Sequence, residues 1–359
     1  MRSLVEFIVV IAIAALFGAK WLYGDYQKAI NDPVAVGDQS VSYVVEPGAT
    51  FRTVANDVKK NGWWPHPSRY LLWRIDRRQL AGKLKSGEYE IKPGMSIDEF
   101  TDLLVSGKTR QYKFTLLEGW TFAQVRAAIQ QSDILQHTIP KDADDATVMV
   151  ALDLPGKGAE GRFFPDTYSI SRTTTDKELL KRAYDQMQST LDAAWSNRSN
   201  DVPYKDLNEA LTMASIVEKE TGIAEERPKI AGVFVQRLKK GMKLQTDPTV
   251  IYGIGKDYDG NIRKKDLETD TPYNTYTRVG LPPTPIAMPG KESIEAALHP
   301  DTGEALYFVA RGDGGHYFSK TLEEHNAAVR KYQLGHAQDS GKGDEKQSDT
   351  NQTHSKDKP

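Results

Sequence analysis

A chain of 359 residues is more than one small core needs, and sets an expectation of about two folded units plus tails. Apolar residues at 39% and charged residues at 27% suit a packed globular protein and exclude a largely disordered one. A formal net charge of −2 offers no basic surplus for nucleic acid, and the absence of cysteine excludes disulfides, thiolate zinc sites and cysteine nucleophiles.

Leu4 to Tyr23 is almost entirely apolar, with Glu6 and Lys20 close to its ends. About twenty helical residues cross a bilayer core, so this stretch predicts a membrane span. The small residues near Ala19 would suit a cleaved signal peptide, but Lys20, Trp21 and Tyr23 follow at once as interfacial anchors. Residues 1–24 are therefore read as an uncleaved anchor. Arg2 favours an inside N-terminus, and Lys20 weakens that vote.

A weak repeat follows, in which an extended stretch meets a glycine turn, a hydroxyl residue and an apolar helical pattern. Its copies are Pro47-Gly48-Ala49-Thr50-Phe51, Pro93-Gly94-Met95-Ser96-Ile97 and Glu118-Gly119-Trp120-Thr121-Phe122. Each hydroxyl stands where a helix N-cap belongs, and Ser96 with Glu99 and Thr121 with Gln124 match a capping box. The first copy, with Tyr43-Val44-Val45 before it and Asn61-Gly62 after, loosely resembles the opening of a LysM module, a small glycan-binding domain. Residues 40–150 are grouped as a LysM-like and repeat region. Trp63, Trp64, Tyr70 and Trp73 can stack on sugars, although four aromatics at this spacing more often form core.

From Ala151 the pattern changes to longer helices separated by loops rich in Pro, Gly, Thr and Tyr, and residues 151–335 are expected to form the catalytic domain. Helices are predicted over Thr175–Trp195, Tyr204–Thr221 and Arg227–Lys240, followed by a long loop-rich section. Ala305–Ala310 and Gly315–Ser319 bracket a turn and read as a hairpin. His336 to Pro359 has almost nothing apolar and is read as a disordered tail.

Familiar chemistry is mostly excluded. Gly107-Lys108-Thr109 fails as a phosphate loop, because its first glycine would fall at Asp102. No His-Glu-x-x-His or Gly-x-Ser-x-Gly occurs, so neither a zinc protease nor an esterase elbow is indicated. No metal or other cofactor is expected. Carboxylate chemistry remains, centred on Ala214-Ser215-Ile216-Val217-Glu218-Lys219-Glu220-Thr221. Leu207, Ala210, Met213, Ala214 and Val217 define a buried stripe, with Glu218 and Glu220 on its opposite shoulders. Periodicity does not choose between them, and both suit solvated helix-end charges.

The ordered words Glu160-Gly161-Arg162-Phe163-Phe164-Pro165-Asp166-Thr167-Tyr168, Ser215-Ile216-Val217-Glu218-Lys219-Glu220-Thr221, Leu244-Gln245-Thr246-Asp247-Pro248-Thr249, Pro272-Tyr273-Asn274-Thr275-Tyr276 and Gly280-Leu281-Pro282-Pro283-Thr284-Pro285 follow one another between Glu160 and Pro285. In them the sequence resembles the endolytic murein transglycosylases of the YceG-like (MltG) family. The resemblance implies an α+β protein with a single N-terminal transmembrane helix, a small LysM-like module and a larger mixed catalytic domain. It implies Glu218 as the catalytic residue, cutting the MurNAc-GlcNAc bond of nascent strands to leave 1,6-anhydro ends and limiting strand length.

Gln245, Asn274 and Tyr276 are then candidate partners for substrate N-acetyl and hydroxyl groups, with Glu220 and Asp247 shaping the site. Ala214, Val217 and loop tyrosines such as Tyr252 or Tyr276 are expected to surround Glu218 with apolar surface and hold its proton. Implied partners are peptidoglycan strands, penicillin-binding proteins and other wall synthases. The implied location is the inner membrane, with catalysis outside it. A muramidase using Asp166 or Asp247 as a second carboxylate, and a non-catalytic glycan-binding scaffold, are the alternatives.

Overall fold

The computed structural model describes residues 2–334. The predicted tail from His336 lies outside them. In chain order the first elements are α1 (Arg2–Asn31), β1 (Val41–Val45), α2 (Phe51–Lys60), α3 (Ser68–Arg77), β2 (Gly87–Ile91), α4 (Ile97–Ser106) and β3 (Tyr112–Thr115). Next come α5 (Phe122–Gln131), α6 (Asp145–Ala151), β4 (Thr167–Ile170), α7 (Asp176–Ser196), α8 (Leu207–Glu220), α9 (Arg227–Lys239), α10 (Asp247–Ile254) and α11 (Lys264–Glu268). Last are α12 (Lys291–Leu298), β5 (Tyr307–Ala310), β6 (His316–Ser319) and α13 (Leu322–Val329). The chain is a mixed α+β protein whose sheets are all small.

Its contacts divide it into two compact units. Among the described residues, the first comprises 2–114, 133–136 and 169–175, and the second 115–132, 137–168 and 176–334. In the first unit, β1 and β2 pair antiparallel, with Tyr43 opposite Tyr89. The capping boxes of Ser96 with Glu99 and Thr121 with Gln124 are formed, and Thr50 makes one with Thr53. Each apolar set of the repeat faces inward, including Phe51, Val54 and Val58 in α2 and Ile97, Phe100 and Leu104 in α4.

The apolar helix is long enough to cross a membrane and runs well past Tyr23, where the span was read to end. Its outward apolar residues, such as Leu16, Phe17 and Trp21, stand exposed, whereas Tyr26 and Ala29 enter the core of the first unit. Trp64 donates its indole N–H to the Ala29 carbonyl at 3.1 Å. Trp64 and Tyr70 are fully buried, so these aromatics are core, while Trp73 remains exposed beside Leu22 and Tyr23.

The second unit is built around α8. From Ala210 to Val217 every residue of this helix is buried, so the expected one-sided stripe is in fact a helix enclosed on all sides. The physical cause is its neighbours: α7, α9, α10 and α12 all pack on it. Two polar residues inside this shell are satisfied locally. The Thr212 hydroxyl donates to the Asn208 carbonyl, and Ser215 donates to the Thr212 carbonyl while accepting the Ile286 amide.

The helix starts at Leu207, three residues later than predicted, because Asp206 caps it by accepting the Glu209 amide. Tyr204 is instead a core side chain whose hydroxyl donates to the Ala297 carbonyl. The section predicted as loop also contains α10, α11 and α12. Pro248 stands in the first turn of α10, where a missing N–H costs nothing. The predicted hairpin is present, with β5 and β6 antiparallel and Phe308 opposite Phe318.

Candidate active site

Glu218 stands at the exposed end of this enclosed helix, half-buried, one turn beyond Ala214. Its Oε2 accepts the backbone N–H of Gly290 at 2.9 Å. Gly290 is the N-cap of α12, so the carboxyl meets the donor end of that helix.

The other side is built by the Glu118-Gly119-Trp120 turn. Gly119 takes a φ of +73°, which a glycine adopts without strain. Its amide donates to the Met288 carbonyl at 2.9 Å, and the Met288 amide donates to the Trp120 carbonyl at 2.7 Å. Lys219 Nζ closes the turn from α8 by donating to the Gly119 carbonyl at 3.2 Å.

This ladder brings Glu118 onto Gly290, so closely that a Cβ there would collide with the Glu118 carboxyl. Glu118 is exposed as a residue, yet its carboxyl is partly desolvated against the protein. That desolvation pushes its pKa up, the charge of Glu218 adds to the shift, and Arg227 opposes both.

Glu220, two residues on, points into a different environment. Its carboxyl accepts the Thr246 hydroxyl, and burial raises its pKa, with Asp247 adding to the rise while Thr246 and His316 oppose it. Tyr276 donates its hydroxyl to Asp247 at 2.6 Å. Gln245 sits at the unusual φ of +52° and accepts from Arg237 at 3.3 Å. Glu220, Gln245, Asp247 and Tyr276 line one cavity of about 520 Å³ together with Arg237 and His316.

Of the sequence-predicted binding residues, Asn274 alone lies outside this group. It is buried, donates to the carbonyls of Asp266, Leu267 and Thr269, and accepts the Tyr276 amide. Its polar atoms are thus committed to closing the loop that presents Tyr276. Glu218 does not line this cavity, and Tyr276 and Tyr252 direct their hydroxyls elsewhere, Tyr276 to Asp247 and Tyr252 to Glu160.

Glu160 belongs to a third environment, a cavity of about 860 Å³ whose lining includes Asp145, Arg162, Tyr252, Tyr273 and Thr284. It accepts the Phe122 amide at 3.0 Å and the Tyr252 hydroxyl at 3.0 Å. Burial raises its pKa to about 7 against these hydrogen bonds. Neither Glu118 nor Glu160 was singled out by sequence pattern. Their shared signal was available, since they form the only two Glu-Gly pairs in the sequence.

Glu218 is thus a helix-end glutamate held by a backbone amide with a second carboxyl close by, an arrangement of groups able to give and take a proton. The chain matches the profile of the YceG-like family over residues 43–331, and it belongs to that family. A Bacillus subtilis protein named endolytic murein transglycosylase is 35% identical over 336 residues, covering 88% of this chain and 91% of its own.

A Streptococcus pneumoniae protein of the same name is 28% identical, and the match covers 91% of this chain but 64% of the pneumococcal one. Among solved structures, a YceG-like protein from Listeria monocytogenes is 30% identical with a TM-score of 0.51, covering 81% of this chain and 99% of its own.

Proposed function

We propose that this protein is an endolytic lytic transglycosylase of peptidoglycan and that Glu218 is its catalytic carboxyl. The names of the relatives, one of them matched over 91% of its own length, support the reaction. The observation that carries the assignment is the placement of Glu218, at the end of a helix rigidly enclosed by four others, with one carboxyl oxygen fixed by Gly290 and the group still open to solvent.

Cleavage of the MurNAc-GlcNAc bond requires a proton on the departing oxygen and tolerance of an oxocarbenium-like sugar. The 6-hydroxyl of the MurNAc unit then attacks its own anomeric carbon and releases its proton, so water is not consumed. Glu218 delivers the first proton and receives the second. The cleft of Glu220, Gln245, Asp247 and Tyr276 offers acceptors and donors to the hydroxyl and N-acetyl groups of the strand, while Asn274 holds the Tyr276 loop. The N-terminal helix anchors the enzyme in the inner membrane, with catalysis on its outer side beside penicillin-binding proteins and other wall synthases. There cutting limits the length of new strands.

The test is mass spectrometry of purified glycan strands incubated with the full chain in detergent and with its Glu218→Gln variant. Anhydro-ended fragments should appear with the first and fall by at least 10²-fold with the second. Reducing ends would replace the proposal by hydrolysis, and intact strands with the wild-type protein would overturn it in favour of a scaffold.

A further inference from the structure

Glu118 is left unexplained by a single-carboxyl reading. Its turn is tied to the segment before α12 by two backbone hydrogen bonds and to α8 through Lys219, so its position is fixed rather than incidental. Glu218 accepts the Gly290 amide, and Glu118 lies against the Gly290 α-carbon. Through the dimensions of that one residue the two carboxyls are no more than roughly 7 Å apart, a separation at which paired carboxyls flank a glycosidic bond.

Among the described residues neither carboxyl forms an ion pair, although the charge of Arg227 reaches Glu118. Arg227 is paired with Glu292, and Lys219 is turned to the Gly119 carbonyl. Glu118 is repelled by Glu218 and by Glu292, with Arg227 opposing. Desolvation and the charge of Glu218 together hold Glu118 toward its protonated form.

We propose that Glu118 is a second catalytic residue, and that Glu118 and Glu218 work as a carboxyl pair holding one proton between them. The inference rests on the transglycosylase reading above. As the bond from the anomeric carbon to the leaving oxygen breaks, the pair gives its proton to that oxygen and becomes doubly ionised. As the 6-oxygen bonds to the same carbon, its proton passes to the pair, which returns to its starting state. One proton leaves and one arrives, and neither water nor a covalent enzyme intermediate is needed. The doubly ionised pair also faces the positively charged sugar at the moment when that charge is greatest.

The experiment measures anhydro-end formation by the full chain in detergent against pH for the wild type, Glu118→Gln, Glu118→Asp and Glu218→Gln, with unfolding temperatures as the fold control. The wild type should show a two-limbed profile, because only the singly protonated pair is active. Glu118→Gln should lose at least 10²-fold in rate and lose the acid limb, since the remaining Glu218 is active whenever protonated. Glu118→Asp should keep both limbs at reduced rate.

A Glu118→Gln protein with the wild-type rate, or with a reduced rate and an unchanged two-limbed profile, overturns the pair and leaves the single-carboxyl reading standing. If that variant does not fold, carbon-13 titration of the wild-type side chains decides. Two-step titration of both groups supports the pair, and independent single steps overturn it. A wild-type protein that forms no anhydro ends, or a Glu218→Gln variant with the wild-type rate, sinks the underlying reading and the pair together.

Discussion

Glu160 makes a thermodynamic demand that can be measured apart from catalysis. Its pKa is raised by burial to about 7, so between the ordinary carboxyl value and about pH 7 the folded protein binds more protons than the unfolded chain. Stability from this residue is therefore fully present below about pH 4.5 and is lost as pH rises through about 7. The loss is on the order of 3 kcal/mol. Glu160→Gln removes the ionisation while leaving an oxygen to accept the Phe122 amide. Denaturant unfolding at pH 5 and pH 8 should show the wild type losing more stability across that interval than the variant, and parallel losses would refute the assignment. The same physics explains what sequence pattern missed. Glu118 and Glu160 each precede a glycine, which a turn accounts for, whereas their partners Gly290 and Tyr252 are distant in sequence. The choice between Glu218 and Glu220 was open for a related reason, because helical angle separates their directions but does not reveal what either direction meets.

Elements were legible where their signals are local. Capping boxes and the three helices from Thr175 to Lys240 follow from side chains within a turn of one another, and the structure forms them with small shifts at the ends. Helices α10 to α12 were hidden because they are short, so tertiary burial outweighs periodicity. Val250, Ile294 and Leu298 are buried by packing that no local pattern announces. Two substitutions test this hierarchy. Asp206→Ala removes the cap of α8 and should cost about 1 kcal/mol in urea unfolding while sparing turnover, since Glu218 sits at the far end of the helix. Gly232→Ala should destabilise despite alanine's better helix propensity, because a Cβ there meets the carbonyl of Asp301. Overpacking of this kind costs about 1–3 kcal/mol, against about 1 kcal/mol gained from propensity, so a lowered unfolding temperature is expected.

At the scale of the whole chain, the first unit is assembled from three separate stretches, the last of which is residues 169–175. Ser169 and Thr174 bond to Gln111 and Gln136 there, and Arg172 ties the stretch to a buried charge. Glu88 is only 3% exposed, and it accepts from Ser42, from the Tyr112 hydroxyl at 2.8 Å and from Arg172 at 2.9 Å. Burial alone would raise its pKa, but these donors outweigh burial and the net shift is downward. Arg110 lies farther off at 3.6 Å and is more exposed, so it replaces Arg172 only in part. Arg172→Ala should therefore cost roughly 2–4 kcal/mol, the range for stripping a partner from a buried carboxylate when some compensation survives. The sign of its pH dependence follows from the lowered pKa. The loss should be full above about pH 4.5 and shrink in acid, because a protonated Glu88 needs no guanidinium. A fragment ending at Phe114 lacks Arg172 altogether and should show the same acid-relieved instability. A cut there that left the first unit as stable as in the full chain would mean that Arg172 is a surface tie and that the interrupted path of the chain has no energetic role in that unit.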